Sequence, residues 1–213
     1  MEMKYTKKDL VLAILAGEII TWLSLPTLKN LNLLNLLSEW EIGLKLFVAI
    51  WAIFLPVGAV LGLGMFYFIA KIKNRIGFFQ LGKYGVIGVL NTFLNAGIYN
   101  LLIFLTDTAI GFILDLFFVM AFIITVINSF FWNKYWSFEE KRTEVFGKEA
   151  LNFFGVSTFV AIINIAMLHI IVNTIGAPAN IEPKIWANIA LAFTIITAFL
   201  GNFFGYKFIV FKK

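Results

Sequence analysis

Six apolar runs, each about as long as a bilayer is thick, leave few folds open to this chain. They cover residues 10–27, 44–70, 84–105, 113–134, 153–174 and 185–208, with edges good to a few residues. A helix of about 20 residues crosses a hydrocarbon core of roughly 30 Å. The expected fold is therefore an all-α polytopic membrane protein with about six transmembrane helices. A soluble domain is excluded by composition. Globular chains carry roughly 45–50% apolar and about a quarter charged residues, whereas this one is 61% hydrophobic and 14% charged, with a mean hydropathy of +0.92.

The sequence pI of about 9.4 would suit nucleic acid, but the basic residues gather at the ends of the runs. That placement predicts topology and no nucleic-acid partner. With six spans both termini share a side, and 14 of the 17 basic residues fall there; only Lys29, Lys45 and Lys184 fall on the other. The positive-inside rule then puts both termini in the cytoplasm, in the cell (plasma) membrane. Lys7 and Lys8 precede the first run as in a signal peptide, but no small-x-small cleavage site follows, so the run is expected to be retained. The absence of cysteine excludes disulfides and thiolate chemistry. The longest connector, residues 28–43, places Leu28, Leu31, Leu34 and Leu37 at near-helical spacing, which suits a short interfacial helix.

The chain also repeats itself. Phe130-Phe131-Trp132-Asn133-Lys134-Tyr135-Trp136-Ser137-Phe138 and Phe203-Phe204-Gly205-Tyr206-Lys207-Phe208-Ile209-Val210-Phe211 each end an apolar run with one lysine among aromatics. Asn95 and Asn164 match in the same way, in the third and fifth runs. Each copy is a two-helix hairpin with an even number of crossings, so the copies point the same way, as a parallel repeat.

On these residues, together with Phe79-x-x-x-Lys83-Tyr84-Gly85-Val86-Ile87-Gly88-Val89-Leu90-Asn91-Thr92 and Asn128-Ser129, the sequence resembles the GtrA-like membrane proteins. The resemblance implies a four-helix domain over 77–213, with repeat one at 79–138 and repeat two at 146–211. An added N-terminal hairpin, 1–76, precedes it. Two positions depart from the family: Asn95 stands where an acid is frequent, and Gly205-Tyr206 stand where Asn-Lys/Arg-Tyr-type residues are usual. The resemblance implies handling of polyprenyl-phosphate-linked monosaccharides for cell-surface polysaccharide or glycolipid synthesis, by translocation or by partnering a glycosyltransferase. A similar module is fused to some dolichol-phosphate mannose synthases.

Such a lipid has one phosphodiester charge, a polar sugar and a long apolar tail. Lys134 and Lys207, placed alike in the two repeats, are the expected phosphate contacts, with Lys83 adding to the field. Basic residues at helix ends also serve as plain topology anchors. Asn91, Asn95, Asn128, Asn133, Asn164 and Asn202 are expected to line a polar path or to bond between helices, since an unpartnered amide in hydrocarbon costs several kcal/mol. Trp132, Tyr135, Trp136 and Tyr206 suit an interfacial belt or a sugar-stacking face.

Glu18 is the one acid deep in a span, which makes it a candidate proton site. It motivates an alternative function, a small proton-coupled exporter. A further alternative is a non-transporting anchor for a glycosyltransferase, docked through Lys141-Arg142 and Lys212-Lys213. His169 has no second ligand nearby in sequence, so no metal site is expected. No cofactor is expected either, and no catalytic group: Asp-x-Asp is absent, and Asp107 and Asp115 fall on the outer side. Gly58-x-x-x-Gly62 and Gly201-x-x-x-Gly205 suit close helix packing, within the bundle or across a homodimer.

Overall fold

The computed structural model describes residues 4–39, 42–137 and 146–205. Among these the helices run in the order α1 (Lys7–Asn30), α2 (Leu36–Glu39), α3 (Leu44–Lys73), α4 (Ile76–Thr106), α5 (Gly111–Trp132), α6 (Phe146–His169) and α7 (Pro183–Gly205), with no strand. Wide π-helical turns, Asn133–Ser137 and Ile170–Ile175, extend α5 and α6. Five helices are long and apolar enough to cross a membrane, and the apolar part of α7, Pro183–Ala198, is shorter. The protein is thus the all-α polytopic membrane protein that its apolar runs predict. The last residues of the sixth run lie outside the described residues.

Local chemistry explains where the helices stop. Thr6 caps α1: its hydroxyl accepts from the Asp9 amide at 3.2 Å, and Asp9 Oδ2 accepts from the Thr6 amide at 2.9 Å. This reciprocal capping box satisfies donors that a helix start leaves bare. Asn74 closes α3 in the left-handed conformation at φ 49°, which Asn tolerates better than most residues. The connector 28–43 divides in the structure. Its first residues finish α1, Asn32 turns the chain at φ 59°, and a 3-10 turn, Leu33–Asn35, leads into α2.

The chain divides into two compact units. The first comprises residues 1–101 and 123–140. Here α1 and α3 pack together where Gly17 meets Pro56; a Cβ at Gly17 would overlap the Pro56 backbone. Gly97 of α4 similarly admits Leu23, whose carbonyl oxygen would lie 2.5 Å from an added Cβ. The core of this unit is built on Ala13, Leu63, Ala70, Phe79, Ile87 and Trp136. By contrast, Ile50, Ile53, Phe54, Leu61 and Phe68 of α3 stand exposed. Lipid tails are as apolar as these side chains, so their exposure carries no penalty in a bilayer.

The second unit comprises residues 102–122 and 141–213. There α6 packs on α7, with Gly201 beside Val160 Cγ2, 3.0 Å from where a Cβ would sit. Gly201 therefore serves close packing inside this unit. Gly58 and Gly62 meet nothing within 4 Å among the described residues.

Candidate functional site

In the first unit the capping carboxylate of α1 also anchors a buried charge. Asp9 Oδ1 accepts from Lys83 Nζ at 2.8 Å and from Trp136 Nε1 at 2.9 Å. Asp9 Oδ2 accepts from the Thr6 hydroxyl at 2.7 Å and from its amide. The two charged side chains are 5% and 2% exposed for Lys83 and Asp9 respectively. Lys83 Nζ also lies 4.7 Å from the centre of the Phe79 ring, a cation–π contact. Phe79 in turn packs with Tyr5 and Tyr67. Burial, and then the Asp9 charge, push the Tyr5 phenol above its usual range. Of the three lysines predicted for phosphate, Lys83 is thus committed to an internal carboxylate. Lys207 lies outside the described residues, as does the side chain of Lys134.

The predicted aromatics divide. Trp136 is buried and bonded to Asp9, and its ring meets Trp132 edge-on at 5.5 Å. Tyr135 is exposed and stacked on Phe131 at 6.1 Å, and its carbonyl accepts from Lys8 Nζ at 2.7 Å. Tyr206 lies outside the described residues.

The asparagines divide as well. Asn128 donates to Asn91 Oδ1 at 2.9 Å, an interhelical amide pair between α5 and α4. Asn133 donates to the Ser129 carbonyl at 2.9 Å, and its own Oδ1 is buried without a partner among the described residues. Asn164, in the second unit, is buried with its Oδ1 likewise unpartnered. Asn95 is half-buried, and the side chain of Asn202 lies outside the described residues. Glu18 is half-buried on α1.

A polar cluster in the second unit joins residues that the sequence scatters. His169 Nδ1 lies 2.6 Å from Asp115 Oδ2 and 3.2 Å from Asn173 Nδ2. Asn173 Oδ1 accepts from the Gly111 amide at the start of α5. Beside them Lys184 forms an ion pair with Asp107. The hydrogen bond from Lys184, and then its charge, hold the exposed Asp107 carboxyl below the usual carboxylate range. Among the described residues no group of three or more His, Asp or Glu could hold a metal ion.

Sequence reasoning passes over Asp9 and Asp115, the two acids that organise these clusters. Thr6-x-x-Asp9 is a capping-box signature before an apolar run, and it could have drawn attention to Asp9. Nothing local ties Asp9 to Lys83, or Asp115 to His169, because each pair is more than 50 residues apart.

No curated protein and no solved structure matches the chain. The profile of the GtrA/DPMS transmembrane domain does match it, over residues 83–211, and so covers α4 from Lys83, α5, α6, α7 and the aromatic–lysine tails. Spanning more than half of the sequence, that match shows that the chain belongs to the GtrA/DPMS transmembrane-domain family.

Proposed function

We propose that this protein binds a polyprenyl-phosphate-linked monosaccharide and moves it across the plasma membrane, as a component without catalytic activity of its own. The observation that carries this reading is the family match over residues 83–211, which begins at Lys83 and ends just past Lys207. The family's description includes the transmembrane domain of a polyprenyl-phosphate sugar synthase class, and that points to the same kind of lipid. In this reading both termini are cytoplasmic, following the basic residues, and Lys134 and Lys207 meet the lipid phosphate at the inner leaflet as point charges. Asn91, Asn95, Asn128, Asn133, Asn164 and Asn202 supply polar contacts to the sugar on its way. Asn164 and Asn133 support this part, since each has a buried amide oxygen with no hydrogen-bond partner among the described residues. Lys83 acts through position: paired with Asp9, it fixes α4 against α1.

The test is transfer of a labelled polyprenyl-phosphate sugar across vesicles holding the purified protein. The Lys134→Ala, Lys207→Ala double variant is expected to lose at least tenfold in rate while keeping its thermal stability. An unchanged rate in that variant removes the phosphate role. Wild-type vesicles that move no lipid, from a protein that co-purifies with a glycosyltransferase, would replace translocation by anchoring.

A further inference from the structure

We infer that the first turn of α1 is a positioning device for the turn that carries Lys134, with Lys8 and Asp9 as its two contacts. These residues lie outside the family match, so the role belongs to the added N-terminal hairpin. Its functional half rests on the phosphate contact proposed for Lys134; the bracing itself does not.

Lys134 is the second residue of the π-helical turn Asn133–Ser137 that continues α5. Single π turns are rare and gather at functional sites. The neighbours of Lys134 in this turn are each tied down. On one side Asn133 Nδ2 donates to the Ser129 carbonyl, within its own helix. On the other, the Tyr135 carbonyl accepts from Lys8 Nζ at 2.7 Å, and Trp136 Nε1 donates to Asp9 Oδ1 at 2.9 Å. Ser137 Oγ then donates to the Gln80 carbonyl of α4 at 3.3 Å. The two residues that directly follow Lys134 are thus held by two consecutive residues of α1.

A brace works only if it is itself fixed, and α1 is fastened at both ends. In its first turn the capping box engages Asp9 Oδ2 through the Thr6 amide and hydroxyl, while Oδ1 meets Trp136 and Lys83 of α4. Asp9 and Trp136 are each 1% exposed. At the other end Asn30 Nδ2 donates to the backbone carbonyl and to Oδ1 of Asn100, both at 2.9 Å. The first turn of α1 therefore moves away from the Lys134 turn only by breaking buried hydrogen bonds, which are costly to leave unmade.

Position matters here because a lysine meets phosphate as a point charge on a flexible stem. Where that charge can reach is set by where its backbone is held. Lys8 and Asp9 divide this task. Asp9 belongs to the buried clamp that also holds the unit together. Lys8 is exposed, and its contact is a charge-assisted hydrogen bond to the backbone one residue past Lys134. Removing Lys8 leaves the pair of Asp9 and Lys83 intact, so it separates positioning from folding. Lys7 carries the same charge one residue earlier, is also exposed, and has no hydrogen bond to the turn among the described residues.

The chain has no cysteine, so a single introduced one reports a single position. A nitroxide on Lys134→Cys, in protein purified into lipid nanodiscs, is expected to show restricted motion by electron paramagnetic resonance. Adding Lys8→Met should loosen it measurably, whereas Lys8→Arg, which restores a donor, and Lys7→Met should not. A nitroxide on Leu61→Cys, exposed on α3 of the same unit, should be unaffected by Lys8→Met. Equal motion at position 134 with and without Lys8→Met overturns the brace. Equal loosening at both positions overturns it too, because the effect would then be general destabilisation. With Lys134 in place, Lys8→Met should lower transfer of the labelled lipid severalfold at unchanged thermal stability, with recovery in Lys8→Arg. A full rate in Lys8→Met overturns the functional half. Wild-type vesicles that move no lipid would end the transport reading and that half with it, while the nitroxide at position 134 decides the bracing by itself.

Discussion

Each unit is organised by one buried aspartate, and the two are treated differently. In the first unit both oxygens of Asp9 are satisfied, by Lys83, Trp136 and Thr6. In the second, Asp115 has one oxygen against His169 and the other without a hydrogen-bond partner among the described residues. A carboxylate with every lone pair engaged and a cation beside it is held in one state, and it serves as a clamp. A carboxyl group that meets an imidazole on one side, with no partner for its other oxygen among the described residues, is held less completely. Completeness of the hydrogen bonding separates the clamp of the first unit from the looser contact of the second.

The comparison breaks most sharply if Asp9 proves dispensable. Asp9→Ala removes the carboxylate from the buried Lys83 ammonium, and breaking such a buried pair costs about 3–5 kcal/mol. The expected result is a large drop in the thermal unfolding temperature of the detergent-solubilised protein. Pairing Asp9→Asn with Lys83→Met should recover most of it, because an apolar replacement removes both desolvated charges. Near-wild-type stability in Asp9→Ala would show that the clamp carries no weight.

Gly17→Val asks whether the first unit owes its rigidity to contact between α1 and α3 as well as to the clamp. The added side chain meets the Pro56 backbone, which cannot yield as a side chain would. Overpacking of this kind costs about 1–3 kcal/mol, read in the same unfolding measurement. Asp115→Asn should behave in the opposite way to Asp9→Ala. Its amide keeps the shape of the acid and can still hydrogen-bond to His169 Nδ1, so the stability change is expected below about 1 kcal/mol. A loss as large as that of Asp9→Ala would erase the distinction between the two acids.

The smallest effect concerns the exposed pair. Asp107 in the folded protein sits below the ordinary carboxylate range because of Lys184. Its contribution is therefore present above the unfolded value, near 4, and is lost as pH falls through the lower folded value. Carboxyl ¹³C shifts should show Asp107 titrating below the usual range, and returning to it in Lys184→Gln.

The membrane helices were legible because hydropathy acts along the chain. The runs at 44–70 and 84–105 became α3 and α4, which run on to the left-handed Asn74 and to just before the left-handed Asp107, so that local backbone geometry, not hydropathy, sets those ends. The aromatic–lysine tails were legible too, and the family match falls on them. Trp136 was harder to read. As a sequence feature it suits an interfacial belt, yet it is buried, with its indole N–H donating to Asp9 in the first turn of α1.

Hydropathy is a one-dimensional property, and from it the sequence alone determined a helical membrane protein; the motif resemblance and the match over residues 83–211 added the family. Which acid meets which base was decided only by tertiary structure, because partners such as Asp9 and Lys83, or Asp115 and His169, lie on different helices. In a low-dielectric interior a charge depends on the few groups within about 4 Å of it. Chain order says nothing of those neighbours until the helices have packed.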